Sequence, residues 1–208
     1  MKTSLKRVPG LRKIVRLIKG RPAQLPSRER LLAKMPKESI CAEIGVHEGD
    51  FSEEILSQVS PARLHLIDPW KYVKTAEYQD AWYGGKAVEA QATLDGRFES
   101  VNRRFNTKIT RGQVQLHRGY SQDVVDQFTD GYFDWIYIDG NHLYEYVKKD
   151  LELYNPKVKV GGFITGDDYG VEGWWSNGVQ KAVDEFAEGR PDLSVEVIGN
   201  QFIITKVS

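Results

Sequence analysis

Four side chains with chemistry to offer fall in two short segments. Trp135-Ile-Tyr-Ile-Asp139-Gly-Asn-His142 and Phe163-Ile-Thr-Gly-Asp167-Asp168-Tyr169 each read as an apolar strand ending in acid. Neighbouring strands lie about 4.8 Å apart, so pairing these two would bring Asp139, Asp167 and Asp168 to one edge of a sheet. Three carboxylates gathered without a cation are costly, so either some stay protonated or a hard divalent ion sits among them. Oxygen ligands with no cysteine and at most one histidine favour Mg2+, Mn2+ or Ca2+ over zinc. The alternative gives Asp139 to a cofactor and leaves Asp167 and Asp168 as caps of the next helix. His142 follows Asp139 by three residues at the start of a helix, titrates near neutrality, and is the candidate general base. His65 and His117 read as strand residues, and His47 packs in a loop.

That loop belongs to a second segment, Cys41-Ala-Glu-Ile-Gly-Val-His-Glu-Gly-Asp50, joining the first strand to the first helix. In open α/β sheets ligands bind at the carboxyl ends of strands, so the turn faces a site. Gly45 and Gly49 permit a tight turn and close approach of a ligand to backbone. The spacing is E-x-G-x-x-x-G, which departs from the dinucleotide fingerprint G-x-G-x-x-G. Glu43, Glu48 and Asp50 would repel a pyrophosphate by about 1 to 4 kcal/mol per close pair. They suit a cationic guest instead, such as the sulfonium and ammonium of S-adenosylmethionine. Glu43, Gly45, Val46 and Gly49 are therefore the expected cofactor contacts. Asp68 ends the second strand roughly 20 residues past the glycines, where an acid accepts from ribose hydroxyls. Ser121 and Gln122 follow the third strand, at the expected adenine edge, although Ser121 is equally a good helix N-cap.

Such edges need a sheet to build them. Short β-branched runs alternate with helical patterns, as in a parallel sheet with crossover helices. The candidate strands are 39–44, 64–68, 113–117, 133–139, 162–166, 194–198 and 201–206. The candidate helices are 50–58, 87–104, 121–127, 143–154 and 179–188. Gly199-Asn200 alone separates the last two strands, a two-residue hairpin turn that makes the final strand antiparallel. The expected fold is α/β: a Rossmann-like, doubly wound, seven-stranded sheet, mostly parallel with an antiparallel last strand.

The chain of 208 residues is 40% hydrophobic and 28% charged, an ordinary globular composition. Its zero net charge is unevenly placed: residues 1–30 hold ten Lys/Arg and one acid, so they carry +9 and the rest −9. Residues 1–37 are read as a basic N-terminal helical extension and 38–208 as the catalytic domain. Leu11, Ile14, Val15 and Ile18 form an apolar stripe opposite Arg12, Lys13, Arg16 and Lys19. A helix this short needs a surface to dock on: its own domain, a sister subunit of a homo-oligomer, or an anionic membrane. The acidic body argues against nucleic acid as partner. Single Cys41 excludes an internal disulfide, and no run of about 18 apolar residues spans a membrane. A cytoplasmic protein, peripheral to the membrane if the basic helix binds lipid, is expected. Trp70, Trp82, Trp174 and Trp175 are expected to flank the acidic rim, with Gly84-Gly85 hinging a lid.

At Glu43–Gly49, Asp68, Ile138-Asp-Gly-Asn-His142 and Gly161-Gly-Phe-Ile-Thr-Gly-Asp-Asp168 the chain resembles class I S-adenosylmethionine-dependent methyltransferases. It is most similar to the macrocin O-methyltransferase-like and cephalosporin hydroxylase-like group, over roughly residues 38–206. The resemblance implies a Mg2+ site at Asp139, Asp167 and Asp168 and a cofactor site at Glu43, Gly45, Gly49 and Asp68. Its expected reaction is methyl transfer to a hydroxyl of a saccharide, natural product or other small polar acceptor. Asn141 stands where relatives often carry an acid, which shifts the base role to His142. Two alternatives are a metal-independent enzyme with His142 as sole base and a methyltransferase-like module that binds without catalysis.

Overall fold

Runs rich in Ile, Leu, Val and aromatic residues can be buried on both faces only if helices cover both sides of a sheet. The computed structural model describes residues 26–73 and 91–207. Its strands are β1 (Ile40–Ile44), β2 (Arg63–Asp68), β3 (Val114–Arg118), β4 (Phe133–Ile138), β5 (Val158–Gly166), β6 (Leu193–Ile198) and β7 (Gln201–Lys206). They form one sheet in the order β3-β2-β1-β4-β5-β7-β6. The first five are parallel, and β7 runs antiparallel to both β5 and β6. The helices are α1 (Ser27–Leu32), α2 (Asp50–Gln58), α3 (Gln91–Thr110), α4 (Ser121–Val124), α5 (Tyr144–Tyr154) and α6 (Gly178–Ala187). This is the doubly wound sheet expected from the sequence.

Each helix buries the stripe its spacing dictates. Phe51 and Ile55 of α2 and Val101 and Phe105 of α3 lie four apart and meet Cys41, Leu64, Leu66 and Trp135 on one face. Val147, Leu151 and Tyr154 of α5, with Val179 and Val183 of α6, cover Ala42, Ile136 and Ile164 on the other. Cys41 is a fully buried free thiol whose pKa burial pushes up, so it serves as a small hydrophobe.

Most expected strand ends lie within a residue or two of the observed ones. β5 begins earlier, at Val158, because its first turns carry exposed Lys159, Val160 and Gly161 that hide the pattern. The larger difference is α1. Residues 27–35 fall within the N-terminal extension expected from sequence, yet Leu31, Leu32 and Met35 are buried in the core. α1, which falls within the extension read as residues 1–37, thus packs into the core of the sheet domain. The amphipathic stretch 11–19, Trp82 and the proposed hinge at Gly84-Gly85 lie outside the described residues. Among the described residues no helix is long and apolar enough to cross a membrane.

Candidate active site

Strand register builds the site. Ile44 pairs with Ile67 and with Ile138, and Ile138 pairs with Gly166. The next residue of each strand is Gly45, Asp68, Asp139 or Asp167, so these four stand in a row along the carboxyl edge. The gathering expected from sequence is present.

At the β1–β2 end the loop is locked by its own backbone. Gly45 has φ +93°, and any Cβ there would collide with the Asp139 carbonyl, so β1 and β4 approach closely only with glycine. Asp68 is 1% exposed. Its carboxylate accepts from the backbone N–H of Val46 (2.9 Å), His47 (3.0 Å) and Trp70 (2.7 Å). It shapes the loop through these three bonds, a structural task alongside the ribose contact expected from sequence. Glu43 is also buried, accepts from Ser52 Oγ, and is pushed by burial to a pKa of about 8. It is therefore a protonated buttress under the loop, at the position where a cofactor contact is expected from sequence. Glu48 faces Arg97 (3.6 Å) and Asp50 pairs with Arg104 (2.8 Å), both from α3. Each loop acid is thus answered within the fold, Glu43 by a proton and Glu48 and Asp50 by arginines. Val46, read as a cofactor contact, is itself buried.

Between the ends of β2 and β3 lies an open cleft of about 530 Å³ lined by Trp70, Lys71, Arg118, Gly119, Tyr120 and Asp123. Ser121 and Gln122, at the expected adenine edge, do not line this cleft. Ser121 Oγ donates to Asp150 (2.5 Å) and Gln122 accepts from Lys149, both of α5. Ser121 is not the N-cap either; Tyr120 is. Trp70 borders this cleft from beneath, fully buried, with its indole N–H donating to the His47 carbonyl (3.0 Å).

At the β4–β5 end His142 sits between two acids. Its Nε2 is 3.3 Å from Asp139 Oδ1 and its Nδ1 is 3.5 Å from Asp168 Oδ2. Trp175 closes one side edge-on, with ring centroids 4.8 Å apart. Burial alone would lower the imidazole pKa, but the hydrogen bond to Asp139 and the charges of Asp139, Asp168 and Asp167 outweigh it and raise the value. Asn141 Oδ1 accepts from the backbone N–H of Leu143 (3.0 Å), turning the chain into α5. Its part is conformational.

Three residues here escaped the sequence reading. Arg28 of α1 donates through Nη2 to Asp139 Oδ2 (2.5 Å), and through Nε (2.9 Å) and Nη2 to Asp167 Oδ2. Asn200 and Gln201, in the β6–β7 hairpin, donate to Asp167 Oδ1, which also accepts from the Asp168 backbone N–H (2.8 Å). No motif marks them, since each acts across a long stretch of chain.

These contacts bear on the expected Mg2+. A carboxylate offers about four acceptor positions, and those of Asp167 are filled by Arg28, Asn200, Gln201 and Asp168. The set Asp139, Asp167 and Asp168, expected from sequence to hold Mg2+, therefore leaves Asp167 little room for a divalent ion. Asp139, His142 and Asp168 do bring ligand atoms within 4.8 Å of one another. There, however, an imidazole stands between the two carboxylates, its nitrogens facing different acids, and the Arg28 charge already lies against Asp139.

Comparison with known proteins follows the same outline. The chain matches the family described as methyltransferase domain over residues 42–169. An uncharacterized protein of Acanthamoeba polyphaga mimivirus is 37% identical over 87 residues, 39% of this chain and 38% of that protein. The match thus spans well under half of that relative. Among solved structures, the O-methyltransferase NovP superposes with a TM-score of 0.61 at 20% identity, over 88% of this chain and 80% of its own. The O-methyltransferase TomG from Streptomyces achromogenes, in complex with S-adenosylmethionine, gives 0.58 at 16%, over 85% and 76%. A protein from Corynebacterium glutamicum gives 0.61 at 14%, over 100% and 93%. At these identities the likeness is one of fold.

Proposed function

This chain belongs to the methyltransferase-domain family, and we propose that it moves the methyl group of S-adenosylmethionine to a hydroxyl of a sugar or other small polar acceptor. The carrying observation is His142, held between Asp139 and Asp168 beside the glycine loop. The loop from Val46 to Gly49, with the cleft between β2 and β3, is the place for the cofactor, and Tyr120 and Lys71 there can face the adenosine. When bound, S-adenosylmethionine offers an electrophilic methyl on sulfur: the acceptor oxygen bonds to that carbon, the carbon–sulfur bond breaks, and the hydroxyl proton must leave.

His142 takes that proton in its neutral form. Asp139 and Asp168 orient the ring and stabilise the imidazolium it becomes, a general-base arrangement worth roughly 10²- to 10⁴-fold. Trp174 and Trp175, with centroids 5.8 Å apart, give an aromatic wall suited to the C–H face of a sugar. The fold shared with NovP and TomG, both described as O-methyltransferases, supports oxygen as the acceptor atom. Among the two catalytic readings the metal-independent one is favoured, because Arg28 already answers the acids.

Turnover of methyl-labelled cofactor against a panel of hydroxylated saccharides and phenols tests this. His142→Asn is expected to lower kcat by about 10²- to 10⁴-fold with affinity for S-adenosylhomocysteine unchanged. Full turnover by that variant would remove His142 from the chemistry.

A further inference from the structure

We infer that Arg28 is the resident cation of the Asp139–Asp167 pair: it occupies the electrostatic place of a divalent ion and positions Asp139 for His142. The geometry is that of a built site. The guanidinium bridges both carboxylates, binding Asp167 through Nε and Nη2 and Asp139 through Nη2. Its planar fork matches this task where a lysine, a point charge, matches it less well. Phe51 lies under the same group at 4.7 Å and Tyr137 at 5.8 Å, so the cation also rests on aromatic faces.

The arm that carries Arg28 is fixed at both ends. Leu31 and Leu32 anchor α1 in the core, and Ser27 Oγ donates to Asn200 Oδ1 (2.6 Å). Asn200 in turn donates to Asp167. Arg28, Asn200 and Gln201 all lie outside the stretch that matches the family, residues 42–169. The device is therefore assembled from the segments that flank the shared domain. With Oδ2 of Asp139 held by Arg28, Oδ1 is the oxygen that meets His142. Arg28 thus acts on the base through Asp139 as a positioning residue. The link to catalysis rests on the methyl-transfer reading; the exclusion of a divalent ion does not.

Titration of the full chain with Mn2+, followed by electron paramagnetic resonance, separates the two. The wild type is expected to show no bound Mn2+ that Asp167→Asn abolishes. Arg28→Met, which unpairs both carboxylates, is expected to gain one Mn2+ site at least tenfold tighter, lost again in the double variant with Asp167→Asn. Arg28→Lys, keeping the charge, should bind no more Mn2+ than wild type. Wild-type binding abolished by Asp167→Asn overturns the inference, as does a folded Arg28→Met with no gained site. Wild-type Mn2+ binding that Asp139→Asn abolishes overturns it equally, because Asp139, His142 and Asp168 then hold the ion despite Arg28; binding that neither Asp139→Asn nor Asp167→Asn changes lies elsewhere and leaves the pair to Arg28. Should Arg28→Met fail to fold, the wild-type, Asp139→Asn and Asp167→Asn titrations decide alone. Mn2+ binding is read without turnover, so its failure leaves methyl transfer standing, and loss of activity leaves the Mn2+ result standing.

Discussion

Asp68, the last residue of β2, and Asp167, the first beyond β5, both stand at the carboxyl edge of the sheet, yet they are neutralised in opposite ways. Asp68 is answered by backbone N–H groups no more than 22 residues away. Asp167 is answered mainly by side chains 139, 33 and 34 residues away. One end of the edge is thus a local turn closed by its own acid. The other is a junction of three distant segments, and it holds together only once the whole domain has folded. A rigid local turn suits a cofactor shared across a family. A junction drawn from flanking segments suits an acceptor site peculiar to one protein.

The contrast can be broken or sharpened by substitution. Asp68→Ala orphans three backbone N–H groups, two of them buried, and at about 2 kcal/mol for each buried one the loss is about 4 kcal/mol. Denaturant unfolding should show it, together with loss of S-adenosylhomocysteine binding; a tolerant Asp68→Ala would deny the turn its keystone. Asp167→Asn keeps an acceptor for some of its partners and leaves Arg28 paired with Asp139. A smaller loss, about 2 kcal/mol, with cofactor binding intact, is expected from the same measurement. Equal effects on binding would merge the two ends into one.

A third effect concerns pH and is read as a slope. Glu43 titrates at about 8 in the fold against an ordinary 4.5. Between those values the native state holds a proton that the unfolded chain has released, so stability falls as pH rises and levels off above about 8. Its share is at most about 1.4 kcal/mol per pH unit. Glu43→Gln should flatten the stability profile over that window by this amount. An unchanged slope would show that Glu43 is not the buried neutral acid described.

The sheet was legible because its signals are local. The runs ending at Ile44, Asp68, Ile138 and Gly166 are apolar enough to be buried on both faces, and Gly199-Asn200 leaves room only for a hairpin. The row of strand-end residues followed from that topology. Their partners did not. Residue type alone could not tell that Asp68 turns inward to the loop backbone, that Glu43 is protonated, or that Ser121 serves α5. Arg28 was hidden by its setting, one of ten Lys/Arg in the first 30 residues, where a solvated charge run is the natural reading. What distinguishes it is the pair Leu31-Leu32 that follows, a short apolar stripe able to seat a helix in the core.

The account depends on this edge being a cofactor site whose two ends divide the labour. Calorimetric titration of S-adenosylhomocysteine into the wild type and into His142→Asn tests that most directly. One-to-one binding, with dissociation constants agreeing within about threefold, a difference under 1 kcal/mol, is the expected result. Absence of binding to the wild type would contradict the account at its base.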